Sequence, residues 1–130
     1  MPETTPISLV CCDPNADNQS RVVKMEIDTA ILTDRLISTA EQTVEANDAK
    51  GLHLAAAHAE HGLVTYVQQV NEGGFFVYVG YPSSLQEHWF GPGTLVAFID
   101  HQGTGHASKV GPDGCKRTFR MLKGHLELPG

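Results

Sequence analysis

Seven histidines and 15 carboxylates in 130 residues carry most of the chemistry this chain could perform. The densest group is His53, His58 and His61 with Glu60, inside Leu52–Gly62. Imidazole suits both zinc ligation and proton transfer near neutral pH. On a helix, His58 and His61 would stand three apart on one face and could chelate a metal. On a strand, His53 and His61 would point one way and His58 the other. The candidate catalytic groups are therefore His58, Glu60 and His101, and the candidate metal ligands are His58 and His61; no cofactor is predicted, and zinc is the metal these ligands could take. His88 and His106 are further imidazoles that could complete a wall. His58-Ala59-Glu60 also matches half of the zinc-deaminase signature. The required P-C-x-x-C does not follow, and Cys115 stands alone downstream.

A second group is cationic. Lys116, Arg117 and Arg120 lie in a segment that alternates as a strand, with Arg117, Phe119 and Met121 on one face and Lys116, Thr118 and Arg120 on the other. These three cations are the candidate anion-binding residues. A third group is aromatic. Gly73–Asp100 holds four of the five phenylalanines, two of the three tyrosines and the only tryptophan. Within it, Glu87, His88, Trp89 and Phe90 sit in the turn-rich stretch Pro82–Gly93, where exposed aromatics could anchor a partner.

Other motifs are incomplete. Cys11, Cys12 and Cys115 are odd in number, and two are adjacent, so reduced and buried strand thiols are expected rather than a disulfide framework. Gly103-Thr104-Gly105-His106 begins like a dinucleotide fingerprint but lacks its third glycine and its strand–turn–helix setting.

The elements that must position these groups follow from periodicity. Ile7–Cys12 and Arg21–Ile27, separated by Asp13–Asn18, read as an opening hairpin. Leu32, Leu36, Ile37, Ala40 and Val44 recur at helical spacing after Asp28-Thr29, which predicts one main amphipathic helix over about 29–48, stopped by a left-handed Gly51. Leu52–Gly62 is ambiguous between helix and strand, with strand favoured. Asn71-Glu72-Gly73-Gly74 predicts a hairpin turn inside Leu63–Tyr81. Phe75–Tyr81 and Thr94–Ile99 predict a core strand pair, Gly111–Gly114 a tight turn, and Lys116–Lys123 a last strand. The expected fold is a single α+β domain over residues 1–130, a mostly antiparallel sheet covered by that helix.

Charge narrows the function classes. The net charge is -6, yet residues 1–100 hold 4 Lys/Arg against 13 Asp/Glu, while residues 101–130 hold 5 against 2. An acidic body disfavours nucleic acid, although the basic end could still attract phosphate. No apolar run approaches the roughly 18–20 residues that span a bilayer, and the first residues do not read as a signal peptide. The expectation is a cytoplasmic protein without a membrane segment, free to form a homo-oligomer. The reading that follows is a small acidic binding protein of inhibitor or immunity type, recognising a basic protein partner through Glu87, His88, Trp89 and Phe90. The alternatives are a histidine-centred metal-binding or hydrolytic enzyme, and a phosphate or nucleic-acid binder acting through the basic C-terminal strand.

Overall fold

The computed structural model describes residues 3–13, 18–55, 60–82, 85–124 and 126. Its chain order is β1 (Thr4–Asp13), β2 (Gln19–Asp28), α1 (Ile31–Asp34), β3 (Leu36–Val44), β4 (Ala49–His53), β5 (Val64–Val79), β6 (Gln86–Phe90), β7 (Leu95–Phe98) and β8 (His106–Lys123). The eight strands form one sheet in the order β2-β1-β7-β5-β8-β3, with β4 also on β8 and β6 also on β5. The opening hairpin is as expected: β1 and β2 pair antiparallel from Thr4↔Asp28 to Asp13↔Gln19. Their alternation sends Ile7, Leu9 and Cys11 into one core cluster and Val10 into the other.

The α+β expectation is wrong, because the helix over 29–48 does not form. The helical part is four residues, Ile31–Asp34, and β3 replaces the rest. Leu36, Ala40 and Val44 are each four apart, and four is close to a helical turn but also twice the period of a strand. The apolar stripe was therefore compatible with both. Thr39, Thr43 and Ile37 are β-branched and favour the extended chain. Pairing decides the matter: β3 lies antiparallel to β8 from Leu36↔Leu122 to Val44↔Cys115. The left-handed residue after it is Asn47 (φ 64), and Gly51 lies inside β4. Of the favoured strand reading of Leu52–Gly62, β4 covers Leu52 and His53, and residues 56–59 lie outside the described residues.

Two expected turns are also absent, and their loss builds the interior. Asn71–Gly74 lies inside β5 and Gly111–Gly114 inside β8. These two strands pair antiparallel from Val64↔Lys123 to Tyr78↔Ala107, with register shifts between Val70 and Glu72 and between Gly73 and Phe75. Bulges of this kind bend a strand. Gly73 (φ 71) and Gly114 (φ 77) take left-handed conformations at the bend. A Cβ on Gly73 would lie 2.0 Å from the Gly114 carbonyl oxygen, so the two backbones meet where no side chain fits.

The bend also divides the neighbours of β5. Its first half pairs with β7, from Tyr66↔Phe98 to Gln69↔Leu95. Its second half pairs with β6, from Phe75↔Phe90 to Val79↔Gln86. Phe75–Tyr81 and Thr94–Ile99 are thus not partners, and β6 stands within the stretch read as a loop. On β8, β3 takes the second half and β4 the first. One core cluster centres on Val70, Phe75, Phe90 and Phe98, and the other on Leu9, Val67, Ile99 and Leu122.

A direct test follows from the bend. Gly73→Ala should lower unfolding free energy by about 3 kcal/mol, since strain and overlap act together. Gly51→Ala, with no atom within 4 Å of the added carbon, should change it by less than about 0.5 kcal/mol. Urea denaturation of the two variants checks this; equal effects would show that the bend tolerates a side chain.

Candidate functional site

Residues 106 and 117 are eleven positions apart on β8. A straight strand would separate them by about 36 Å. Both instead border one cavity of about 400 Å³, because β8 curves at its glycines. This volume is within the range of small-molecule pockets. The floor is aromatic, with Phe75, Phe98, Tyr66 and Phe119. Tyr66 and Phe119 are neighbours across β5 and β8, their ring centroids 5.8 Å apart. Polar groups collect at two places on this wall.

The first is built around Asp100, just beyond β7. Its side chain is completely buried. Oδ2 accepts hydrogen bonds from Ser20 Oγ at 2.8 Å and from His106 Nδ1 at 2.6 Å. Oδ1 has no partner among the described residues. The backbone is fixed as well: the Ala55 N–H donates to the Asp100 carbonyl, and the Ile99 N–H donates to the Val10 carbonyl. A carboxylate against Nδ1 keeps the proton there, which leaves Nε2 of the neutral ring with its lone pair. His106 is packed between the rings of Phe98 and His53, with centroids at 4.8 and 4.2 Å. His53 donates from Nδ1 to the Gly51 carbonyl at 2.7 Å, so its own Nε2 is likewise unprotonated in the neutral form. Burial, then the nearby His106 and Lys50, lower the pKa of His53 below its ordinary 6.5.

The second polar place is Arg117. Its Nε donates to Gln42 Oε1 at 3.0 Å and its Nη1 to Gln68 Oε1 at 2.8 Å. The guanidinium stands 5.6 Å from the centroid of Phe75, within cation–π range. Burial lowers its pKa below the usual guanidinium range, opposed by Cys115 and, at longer range, by Asp48. No carboxylate among the described residues forms an ion pair with it. The cavity wall therefore presents a desolvated cation held by two neutral amides.

The remaining candidates fall elsewhere. Lys116 pairs with Glu72 at 3.1 Å on the surface, and Arg120 donates to Gln69, so the cationic trio is split across the sheet as alternation required. His58 lies outside the described residues. Glu60 and His61 face each other at 3.8 Å in an exposed turn, away from the cavity lining. His101 is a staple: its Nδ1 and Nε2 lie 2.7 and 2.8 Å from the carbonyls of Ala55 and Val64. No group of three or more His, Cys, Asp or Glu could hold a metal among the described residues.

The aromatic group forms its own surface. Phe90 is buried against Phe75, at 5.7 Å. Trp89 is 48% exposed and lies against Phe76 and over Gly74, Gly91 and Gly111, where an added Cβ would meet the indole. Glu87 interacts with Tyr78. His88 has its Nε2 buried without a partner among the described residues, and burial lowers its pKa. Cys11 and Cys115 are buried and all three thiols are unpaired; burial raises their pKa values, which leaves them poor nucleophiles. Asp100 is the residue that sequence reading missed. Its signal was an acidic side chain closing the apolar run Leu95–Ile99, a position that buries whatever follows the strand.

The two lowered histidines set a pH dependence. The unfolded chain protonates these rings near pH 6.5, whereas the fold resists it. Their contribution to stability is therefore unaffected well above pH 6.5 and becomes unfavourable as pH falls through it. Urea midpoints at about pH 7.5 and about pH 5.5 should show a smaller acid loss in the His53→Gln/His88→Gln variant than in the parent; an unchanged loss would refute the assignment.

No helix among the described residues is long and apolar enough to cross a membrane. Comparison with protein-family models, with curated proteins and with solved structures finds no match to this chain.

Proposed function

We propose that this protein binds a small organic monocarboxylate in the cavity between the two arms of β5 and β8. The observation that carries this reading is Arg117, a half-buried cation on the cavity wall whose side-chain partners are the neutral Gln42 and Gln68. Partly desolvating a cation is unfavourable when its carboxylate, Asp48, acts only from beyond ion-pair distance, and a carboxylate accepting the remaining guanidinium donors would offset that cost. The aromatic floor fits an apolar body behind the carboxylate. One half-buried arginine, with Lys50 exposed at the rim, suits a single negative charge better than the two of phosphate.

A second reading is favoured by one surface feature. Half-exposed Trp89 on β6 and exposed Leu85 just before it are groups that can anchor a protein partner of basic character against the acidic body. Trp89→Ala should then weaken that association by about 2 kcal/mol without altering the cavity.

Saturation-transfer NMR with benzoate tests the first reading. Benzoate should bind the parent protein, and Arg117→Gln should weaken it about tenfold or more, as loss of a charge-assisted pair requires. Inorganic phosphate should compete poorly. Equal benzoate binding by parent and variant would sink the proposal.

A further inference from the structure

We infer that the bound molecule is a 2-oxo carboxylic acid and that His106 removes a proton from the carbon next to its keto group. This rests on the reading of Arg117 as the carboxylate anchor and adds a reaction to it. His106 has the arrangement that proton transfer needs. Its Nδ1 is held by Asp100 at 2.6 Å, Asp100 is itself held by Ser20, and the ring borders the cavity. Asp100 is the positioning residue, and a fixed tautomer with a free Nε2 is a base ready to act. No bound molecule is required to orient it.

The surroundings argue for proton removal rather than acyl transfer. Ser108 also borders the cavity, but no hydrogen bond joins it to His106 among the described residues. The base and its orienting carboxylate are present without an activated nucleophile. The buried thiols are held in their protonated form, as described above. Lys50 at the cavity rim supplies positive charge for a developing enolate oxygen. His53, in contact with His106 and less buried than it, has a second nitrogen that is unprotonated in the neutral ring.

The step balances without another reactant. The C–H bond adjacent to the carbonyl breaks, its proton goes to Nε2 of His106, and its electron pair becomes the C=C bond of the enolate as negative charge moves to oxygen. Return of a proton from the imidazolium to the same carbon restores the ketone. In heavy water that return delivers deuterium, so exchange reports the step even when no net product accumulates.

The experiment uses phenylpyruvate with the full-length protein in D2O. Loss of the methylene proton signal is followed by NMR, and ligand binding is read by saturation transfer in the same sample. The parent should accelerate exchange about a hundredfold or more over buffer, the usual scale of a positioned base. His106→Gln should retain binding and lose the acceleration. Arg117→Gln should lose both. Binding by the parent without accelerated exchange overturns the proton-transfer inference alone. Absence of binding overturns the Arg117 reading and this inference with it. Equal exchange by parent and His106→Gln assigns the step to another group and overturns the role of His106.

Discussion

The close approach of Gly73 to Gly114 is the constraint on which the cavity depends. Two long strands that pair along their whole length would ordinarily make a flat ribbon with a uniform twist. A left-handed glycine on each strand, with register shifts beside it, turns that ribbon into an arc. The arc has an inside, and β3, β4, β6 and β7 attach to the halves it defines. Any larger residue at 73 would push against backbone, which cannot swing aside as a side chain can. The curvature is thereby tied to two positions whose own chemistry is nil.

On the inside of that arc the polar groups are separated by sign. The carboxylate of Asp100 is compensated by Ser20 and His106, whereas the guanidinium of Arg117 has only amide oxygens. A half-buried charge whose opposite, Asp48, forms no ion pair with it is costly to keep, and ordinary structural ion pairs avoid that state. The neighbouring surface cations show the ordinary solution, with Lys116 against Glu72 in solvent. Arg117 departs from it on the wall of the cavity, with amide partners in place of an ion pair. The histidines sort in the same way. His101 spends both nitrogens on backbone carbonyls and holds the chain together, while His106 spends one and keeps the other.

The expected helix over 29–48 shows how periodicity can mislead. Its apolar residues recur every four positions, a spacing that serves either conformation. The segment has no deep core face in the structure, where β3 is largely exposed; its conformation comes from backbone pairing with β8. That pairing is a property of residues some 80 positions away, which no local window contains. Asn71–Gly74 and Gly111–Gly114 misled for a related reason. Each has the composition of a turn, and glycine does adopt positive φ there, but the partner strand continues the ladder through it. The local conformational need was read correctly and its consequence was not.

The sequence by itself determined the β1–β2 hairpin, the strand at Lys116–Lys123 and the separation of Arg117 and Phe119 from Lys116 and Arg120. Those features follow from alternation along one strand, which a linear pattern encodes directly. It also named Arg117 and His106 among the residues worth watching. Only the tertiary structure decided that these two share a cavity, that Asp100 stands behind His106, and that His101 and His61 belong elsewhere. Their convergence depends on a bend made by paired backbones and on contacts between distant strands, and neither leaves a local period in the chain.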